Sequence, residues 1–269
     1  MKAAPFRYER PRELTTALTL VRDPEAKALA GGQSLVPVMA MRLARPRLLV
    51  DLNRVDGLAA IGRGDGELVT GAMVRQRALE RHPSLAAELP LVAAALPFVG
   101  HREVRNRGTV GGSVAHADPA AELGLVAATL KARIEARSLD GVREIDADTF
   151  VTGPFTTTLA PGELLTAIRW PLAQPGDGFA FEEVARRHGD FALCGVAVHV
   201  KPNREARVGL LGVAPTPVVH DIQSTADPDA VAKELAERVD PPSDMHASAG
   251  YRRRLVRVLV ERALRKAQA

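Results

Sequence analysis

The sequence predicts an α+β protein, and three stretches carry that reading. Leu29–Leu52 (LAGGQSLVPVMAMRLARPRLLVDL) reads as a strand, a Gly-Gly turn, a helix and a second strand. Between about 58 and 171, alternating apolar and polar runs predict an antiparallel sheet accompanied by Ala/Leu-rich helical segments. Beyond Gln174-Pro175-Gly176-Asp177-Gly178, the clearest linker, three strand-like runs and two helices predict a smaller C-terminal unit.

The elements follow in order. Phe6-Arg7-Tyr8 reads as an edge strand, and Leu14, Ala17, Leu18 and Val21 have helical spacing ahead of the Asp23-Pro24 stop. Lys27–Ala30 is a strand entering Gly31-Gly32. Gln33 to about Ala44 is expected to be helical, burying Leu35, Val38, Met39 and Leu43, with Pro37 tolerated in the first turn. Leu48-Leu49-Val50 is the next strand. In such a layout backbone N–H groups at a helix start can hold a phosphate, and glycine allows close approach. A Gly-Gly pair between strand and helix is also ordinary turn chemistry. A second glycine segment, RNRGTVGGS at Arg105–Ser113, strengthens the ligand reading, because two such segments could clasp one diphosphate from two sides. Neither matches GxGxxG or GxxxxGK[ST], so the usual nicotinamide and ATP motifs are missing.

Gly57–Gly66 reads as a hairpin at a subdomain junction, Glu67–Ala72 as a strand, and Arg75–Arg81 and Leu85–Phe98 as helices. Ala132, Ile134 and Ala136 alternate with Arg133, Glu135 and Arg137, then Asp140-Gly141 turns into Val142–Ile145; Leu164–Trp170 alternates again. In the C-terminal unit Phe179–Arg186, Ala192–Lys201 and Ala206–Ala214 read as strands and Asp229–Val239 as a short helix. The last helix, Tyr251–Ala267, has an apolar face, and its arginines (252, 253, 254, 257, 262, 265) are expected to form a solvated or partner-facing surface.

Composition narrows the function. The 269 residues are 46% hydrophobic and 25% charged, ordinary globular values. Aromatic residues are only 4%, and the 36 basic residues are nearly matched by 32 acidic ones spread along the chain, which argues against nucleic-acid binding. Cys194 is the only cysteine, so the chain holds no internal disulfide, zinc site or iron–sulfur cluster; its LCGVAV setting predicts an inert, buried thiol. No apolar run is long enough for a membrane span, and the start of the chain lacks a signal-peptide core, so a soluble, cytoplasmic protein is expected. His101, His116 and His188 lie beside the glycine segments without metal-ligand spacing, and no GxSxG elbow exists. Asp118 and Glu122 could share one face of a helix starting near Pro119, either receiving ligand hydrogen bonds or favouring the helix N-terminus. With no acid–base pair evident, no catalytic residue is assigned, and a bound cofactor is expected to carry the chemistry.

Five ordered segments resemble one family: AGGQSLVPVMAMRLARPRLLVDL (30–52), RNRGTVGGSVAHADPAAEL (105–123), IRWP (168–171), FEEVARRHGDFAL (181–193) and DMHASAGYRRRLVRVLVERAL (244–264). Together they are similar to the FAD-binding medium subunit of molybdenum hydroxylases, the group that includes the carbon monoxide dehydrogenase medium chain and the flavin segment of xanthine dehydrogenase. The resemblance implies a PCMH/vanillyl-alcohol-oxidase-type FAD-binding domain over 1–173, with lobes of about 1–57 and 58–173. A carbon monoxide dehydrogenase flavoprotein-type C-terminal domain would follow over 179–269, built on a three-stranded antiparallel sheet with helices. It implies non-covalent FAD. Leu29, Ala30, Gly31, Gly32, Gln33, Ser34 and Leu35 would wrap the diphosphate, and Thr109, Gly111, Gly112 and Ser113 would close on it from the second lobe. Glu122 would take an acidic cofactor contact, Leu165 an apolar backbone contact near the flavin, and His116 and Asp118 would lie nearby. Arg186–Asp190 would border the ring, and Glu182 stands where the xanthine dehydrogenase branch carries lysine. On this reading a valine at Gly32 or Gly111 would displace the diphosphate and leave the fold largely intact.

The implied function is electron transfer from iron–sulfur clusters on a partner, through FAD, to an external acceptor. Molybdopterin and [2Fe-2S] clusters would sit on large and small partner subunits, in a dimer of heterotrimers. The alternatives are a stand-alone FAD-dependent oxidoreductase and a non-catalytic assembly subunit that docks through its C-terminal arginines.

Overall fold

The computed structural model describes residues 2–269. In the first unit the elements run β1 (Arg7–Glu9), α1 (Leu14–Val21), β2 (Ala26–Leu29), α2 (Leu35–Ala40) and β3 (Leu48–Asp51). The sheet order is β1-β3-β2, with β3 parallel to both neighbours. Ala17 and Leu18 of α1 pack with Leu48 and Val50 of β3 in a small core. Helix α2 is shorter than the expected 33–44. Arg42 adopts a left-handed conformation (φ 59°), the Arg42 amide bonds the Met39 carbonyl at 2.9 Å and the Leu43 amide bonds that of Val38 at 3.0 Å. That is a Schellman turn with arginine in the usual glycine place, and it leaves Leu43 76% exposed rather than buried.

The second unit carries β4 (Ile61–Gly64), β5 (Glu67–Gly71), α3 (Gln76–Glu80), α4 (Leu85–Glu88), α5 (Pro90–Ala95), α6 (Arg102–Arg107), α7 (Val110–His116) and α8 (Glu122–Thr129). Then come β6 (Arg133–Arg137), β7 (Val142–Asp146), α9 (Ala147–Phe150), the small ribbon β8 (Val151–Gly153) and β9 (Thr156–Thr157), and β10 (Leu164–Pro171). The expected antiparallel sheet forms with five strands in the order β4-β5-β10-β6-β7. Its alternation works as read: Ile134, Ile168 and Trp170 are wholly buried, while Arg133, Arg169, Glu67, Glu135 and Glu144 make ion pairs on the other face. The indole N–H of Trp170 donates to the Thr70 hydroxyl at 2.9 Å. The single helix expected over 85–98 is instead α4, α5 and a 3-10 turn, because Pro90 and Pro97 cannot donate to a continuous helical ladder. The second glycine segment is no open loop: its first three residues end polar α6, and Gly111-Gly112 lie in the first turn of α7.

The C-terminal unit departs from expectation in its sheet. It has four antiparallel strands, β11 (Gly178–Ala185), β12 (Ala192–Val200), β13 (Ala206–Leu211) and β14 (Val218–Ile222), followed by α10 (Pro228–Arg238) and α11 (Ala249–Ala267). The strand absent from the sequence reading, β14, is a partly exposed edge strand, so its alternation is weak. One sheet face packs on α10 and α11 and wholly buries Cys194, where burial pushes the thiol up to about 12. The other face lies on the second unit, with Phe181 against Phe98 at a ring-centroid distance of 5.3 Å. The α11 arginines form a largely solvated surface, as expected, with Arg254 exposed and Arg252 the buried exception. Arg252 is buried on Asp244 and the carbonyls of Leu193 and Gly212, while Arg253, Arg257, Arg262 and Arg265 pair with Asp240, Asp229, Glu182 and Glu261. Among the described residues no helix is long and apolar enough to cross a membrane.

Candidate functional site

Three parallel strands end side by side, and the chain beyond each end builds the site. After β2 come Ala30-Gly31-Gly32, after β3 comes Asn53, and after β1 comes Arg10. A cavity of about 600 Å³ opens there, lined by Leu29–Gln33 and by Tyr8, Arg10, Asp51, Asn53, Arg75 and Arg107. The carboxyl edge of a parallel sheet is where such folds place ligands.

The first glycine segment faces this cavity with its backbone donors available. Among the described residues the amides of Gly32, Gln33, Ser34 and Leu35 donate to no acceptor within the protein. Gly32 has φ +75°, a conformation a side chain would strain. Gln33 and Ser34 are exposed, while Leu29, Ala30, Gly32 and Leu35 are half-buried.

The cavity wall is a polar network that the sequence reading missed. Asp51 is 4% exposed; it accepts hydrogen bonds from the Tyr8 hydroxyl and the Asn53 amide (2.8 Å) and pairs with Arg10 at 3.1 Å. Burial pushes the Asp51 carboxyl up, but those hydrogen bonds and the Arg10 charge outweigh it and hold the group below its ordinary value. Asn53 donates to the Ala30 carbonyl at 2.9 Å and accepts from Arg75, which in turn donates to the Arg107 carbonyl. The polar pair Asp51 and Asn53 straight after an apolar strand was the one available signal.

The second glycine segment sits behind the first instead of opposite it. A Cβ on Gly112 would lie 3.0 Å from that of Ala30. The amides of Val110 and Gly111 bond the carbonyls of Val74 (2.9 Å) and Ala72 (3.0 Å), that of Gly112 bonds the hydroxyl of the buried N-cap Thr109 (3.0 Å), and that of Ser113 the Thr109 carbonyl (3.1 Å). These donors are therefore already engaged. A Cβ on Gly111 would meet the Ala72 Cα at 2.6 Å, so a valine there strikes protein backbone and disturbs the fold, contrary to the expectation from sequence.

Beyond α7 the chain turns at left-handed Ala117 (φ 52°). His116 is half-buried against Phe155, with ring centroids 5.1 Å apart, and burial lowers its pKa. Asp118 accepts from the Ala120 amide at 2.9 Å in the turn before α8, so it does not share a helical face with Glu122, which is the first residue of that helix. Glu122 is 7% exposed, and burial pushes its carboxyl up to about 7. Glu183 on β11 is raised to about 8, by burial and by the charge of Glu122. Leu165 is buried at a bulge in β10. Ser113, His116, Asp118, Glu122 and Leu165 do not line the cavity beside the first segment. Glu182 points the other way, onto Arg262 and Lys266 of α11. The 186–190 loop reaches the second unit, where a Cβ on Gly189 would lie 2.5 Å from the His101 ring.

Comparisons with known proteins cover the chain from end to end. Residues 4–173 match the family model for the FAD binding domain in molybdopterin dehydrogenase, and residues 179–267 match the CO dehydrogenase flavoprotein C-terminal domain. The chain is 38% identical to the 6-hydroxypseudooxynicotine dehydrogenase complex subunit alpha of Paenarthrobacter nicotinovorans, over 99% of this chain and 96% of that protein. It is 35% identical to the carbon monoxide dehydrogenase medium chain of Afipia carboxidovorans, over 98% and 97%. A chain in the crystal structure of quinoline 2-oxidoreductase from Pseudomonas putida 86 superposes with a TM-score of 0.92 at 36% identity, covering 100% of this chain and 98% of that one.

Proposed function

This chain belongs to the FAD-binding medium subunits of the molybdenum hydroxylases, and on that premise we propose how its residues serve the cofactor. It is an FAD-dependent oxidoreductase subunit. The observation that carries the proposal is the run of unengaged amides from Gly32 to Leu35 beside a cavity of about 600 Å³. Backbone donors that answer to no protein acceptor suit a diphosphate, so the residues present fit FAD.

Leu29–Leu35 bind the diphosphate through those amides, without a covalent link. Gly112, with Thr109 capping its helix and Gly111 fitted on Ala72, backs the first segment at Ala30 as the second lobe closes on the diphosphate. Ser113, His116, Asp118 and Glu122 present side chains to the remainder of the cofactor. Leu165 gives an apolar contact near the ring. Residues 1–173 form the FAD-binding domain, in lobes of about 1–57 and 58–173, and 179–269 form the C-terminal domain. Bound FAD supplies the redox chemistry, accepting electrons from iron–sulfur clusters and passing them to an external acceptor. The clusters and molybdopterin reside on small and large partner subunits, in a cytoplasmic dimer of heterotrimers. Cys194 alone could not ligate a cluster.

A visible absorbance spectrum of natively purified protein, with co-purifying chains identified, tests this. Flavin bands with iron–sulfur absorbance and two partner chains are expected. A folded protein that stays colourless when FAD is added overturns the reading.

A further inference from the structure

Among the described residues no hydrogen bond joins the two glycine segments directly; a polar link between them runs through Asn53 and Arg75. Asn53 follows β3, and its side-chain amide donates to the Ala30 carbonyl of the first segment at 2.9 Å. The Asn53 side-chain oxygen accepts from Arg75 Nη2 at 2.5 Å, and Arg75 Nη1 donates to the Arg107 carbonyl at the end of α6. Arg75 precedes α3, and its own place is fixed by the backbone on either side. The Val110 amide donates to the Val74 carbonyl and the Gln76 amide to that of Gly108, each at 2.9 Å. The guanidinium is therefore anchored on the second segment and reaches across to the first.

Charge sets Arg75 apart. Arg10, Arg75 and Arg107 line the cavity beside the Gly32–Leu35 amides. Arg10 is paired with Asp51 at 3.1 Å, whereas half-buried Arg75 forms no ion pair and spends its fork on two neutral oxygens. Burial, then the charge of Arg107, lowers its pKa, yet a guanidinium stays protonated at neutral pH. A half-buried cation with no carboxylate of its own is relieved when an anion enters the cavity. A lysine would carry the charge but not the planar fork that reaches two oxygens at once.

We propose that Arg75 is a positioning residue of the cofactor site: with Asn53 it ties the two glycine segments together, and it keeps an unpaired positive charge at the cavity to balance the diphosphate. The inference rests on Leu29–Leu35 binding the diphosphate, as proposed above. The tie fixes the direction in which the Gly32–Leu35 amides point. The charge adds an attraction that salt screens.

The test is the FAD dissociation constant of the full chain, followed by flavin fluorescence between about 0.05 and 0.5 M salt. Wild type should bind more weakly as salt rises. Arg75→Met should bind about tenfold more weakly at low salt, through loss of its charged donors, and show a shallower salt dependence. Arg75→Gln serves if Arg75→Met fails to fold, as judged by circular dichroism. Arg75→Lys should recover the wild-type salt dependence while still binding more weakly than wild type. Asn53→Ala, which breaks the tie and keeps the charge, should weaken binding with the salt dependence intact. Wild-type affinity indifferent to salt, a neutral Arg75 variant that keeps the wild-type slope, or Asn53→Ala binding as tightly as wild type overturns the proposal alone. A folded wild-type chain that binds no FAD overturns the reading of the first segment, and the proposal with it.

Discussion

A Cβ on Gly31 would lie 2.3 Å from the carbonyl oxygen of Arg107 and 2.8 Å from the Gly108 Cα. The two glycine segments are therefore pressed together, backbone against backbone, at that point. Gly31→Ala should cost about 1–3 kcal/mol through overpacking and lower flavin content, because relief requires the segments to part. A Cβ on Gly124, in α8, would meet nothing within 4 Å, and the backbone there is not left-handed. Gly124→Ala should raise stability by roughly 0.5–1 kcal/mol. Thermal melts of the two variants check both signs.

Arg105 is 6% exposed and fastened to Glu80 and three backbone carbonyls, which pins the turn after α5 to α3. Arg105→Ala should cost about 1.5–3 kcal/mol by removing its charge-assisted hydrogen bonds, since Glu80 keeps its pair with Arg77 at 2.8 Å. Burial pushes the Glu80 carboxyl up, but Arg105 and Arg77 bring it below its ordinary value. The stability this gives is present above the unfolded carboxylate pKa and is lost as pH falls through the lower folded value. Denaturant titrations at neutral and acid pH should therefore show the Arg105→Ala penalty shrinking in acid.

Tyr8→Phe removes one of the hydrogen bonds that hold the Asp51 carboxyl down, at a cost of about 1 kcal/mol near neutrality. The sign is again that of a depressed carboxylate: the contribution is complete above the unfolded pKa and disappears in acid. The variant should start to unfold at a higher pH than wild type, which an acid titration followed by circular dichroism measures.

Cys194 should resist a thiol reagent in the native protein and react once denaturant unfolds it, since burial keeps the thiolate scarce. Cys194→Ser should cost about 1–3 kcal/mol for burying a hydroxyl while leaving flavin content unchanged. Colorimetric thiol counting and the flavin-to-protein absorbance ratio check the two halves.

The parts of this fold legible in the sequence are those set by local periodicity. Ala132–Arg137, the Asp140-Gly141 turn and Leu164–Trp170 alternate because one face of their sheet is core and the other is a lattice of ion pairs. β14 escaped because an edge strand needs no apolar contrast, and α6 because its one buried side chain is an arginine. The first glycine segment was legible as a turn between β2 and α2. The cavity wall beside it was not, since Tyr8, Asp51, Asn53 and Arg75 meet only when strands from distant segments end side by side. The second segment showed its glycines but not their purpose, which is to fit against Ala72 and Ala30.

Trp170, wholly buried and tied to Thr70, is the chain's single tryptophan. It makes the protein its own optical reporter. Emission from one indole in the central sheet announces when that sheet comes apart, with no second fluorophore of its kind to confuse the signal. A flavin taken up nearby would drain that emission by energy transfer, so a single titration can follow cofactor loading and core integrity without any added label.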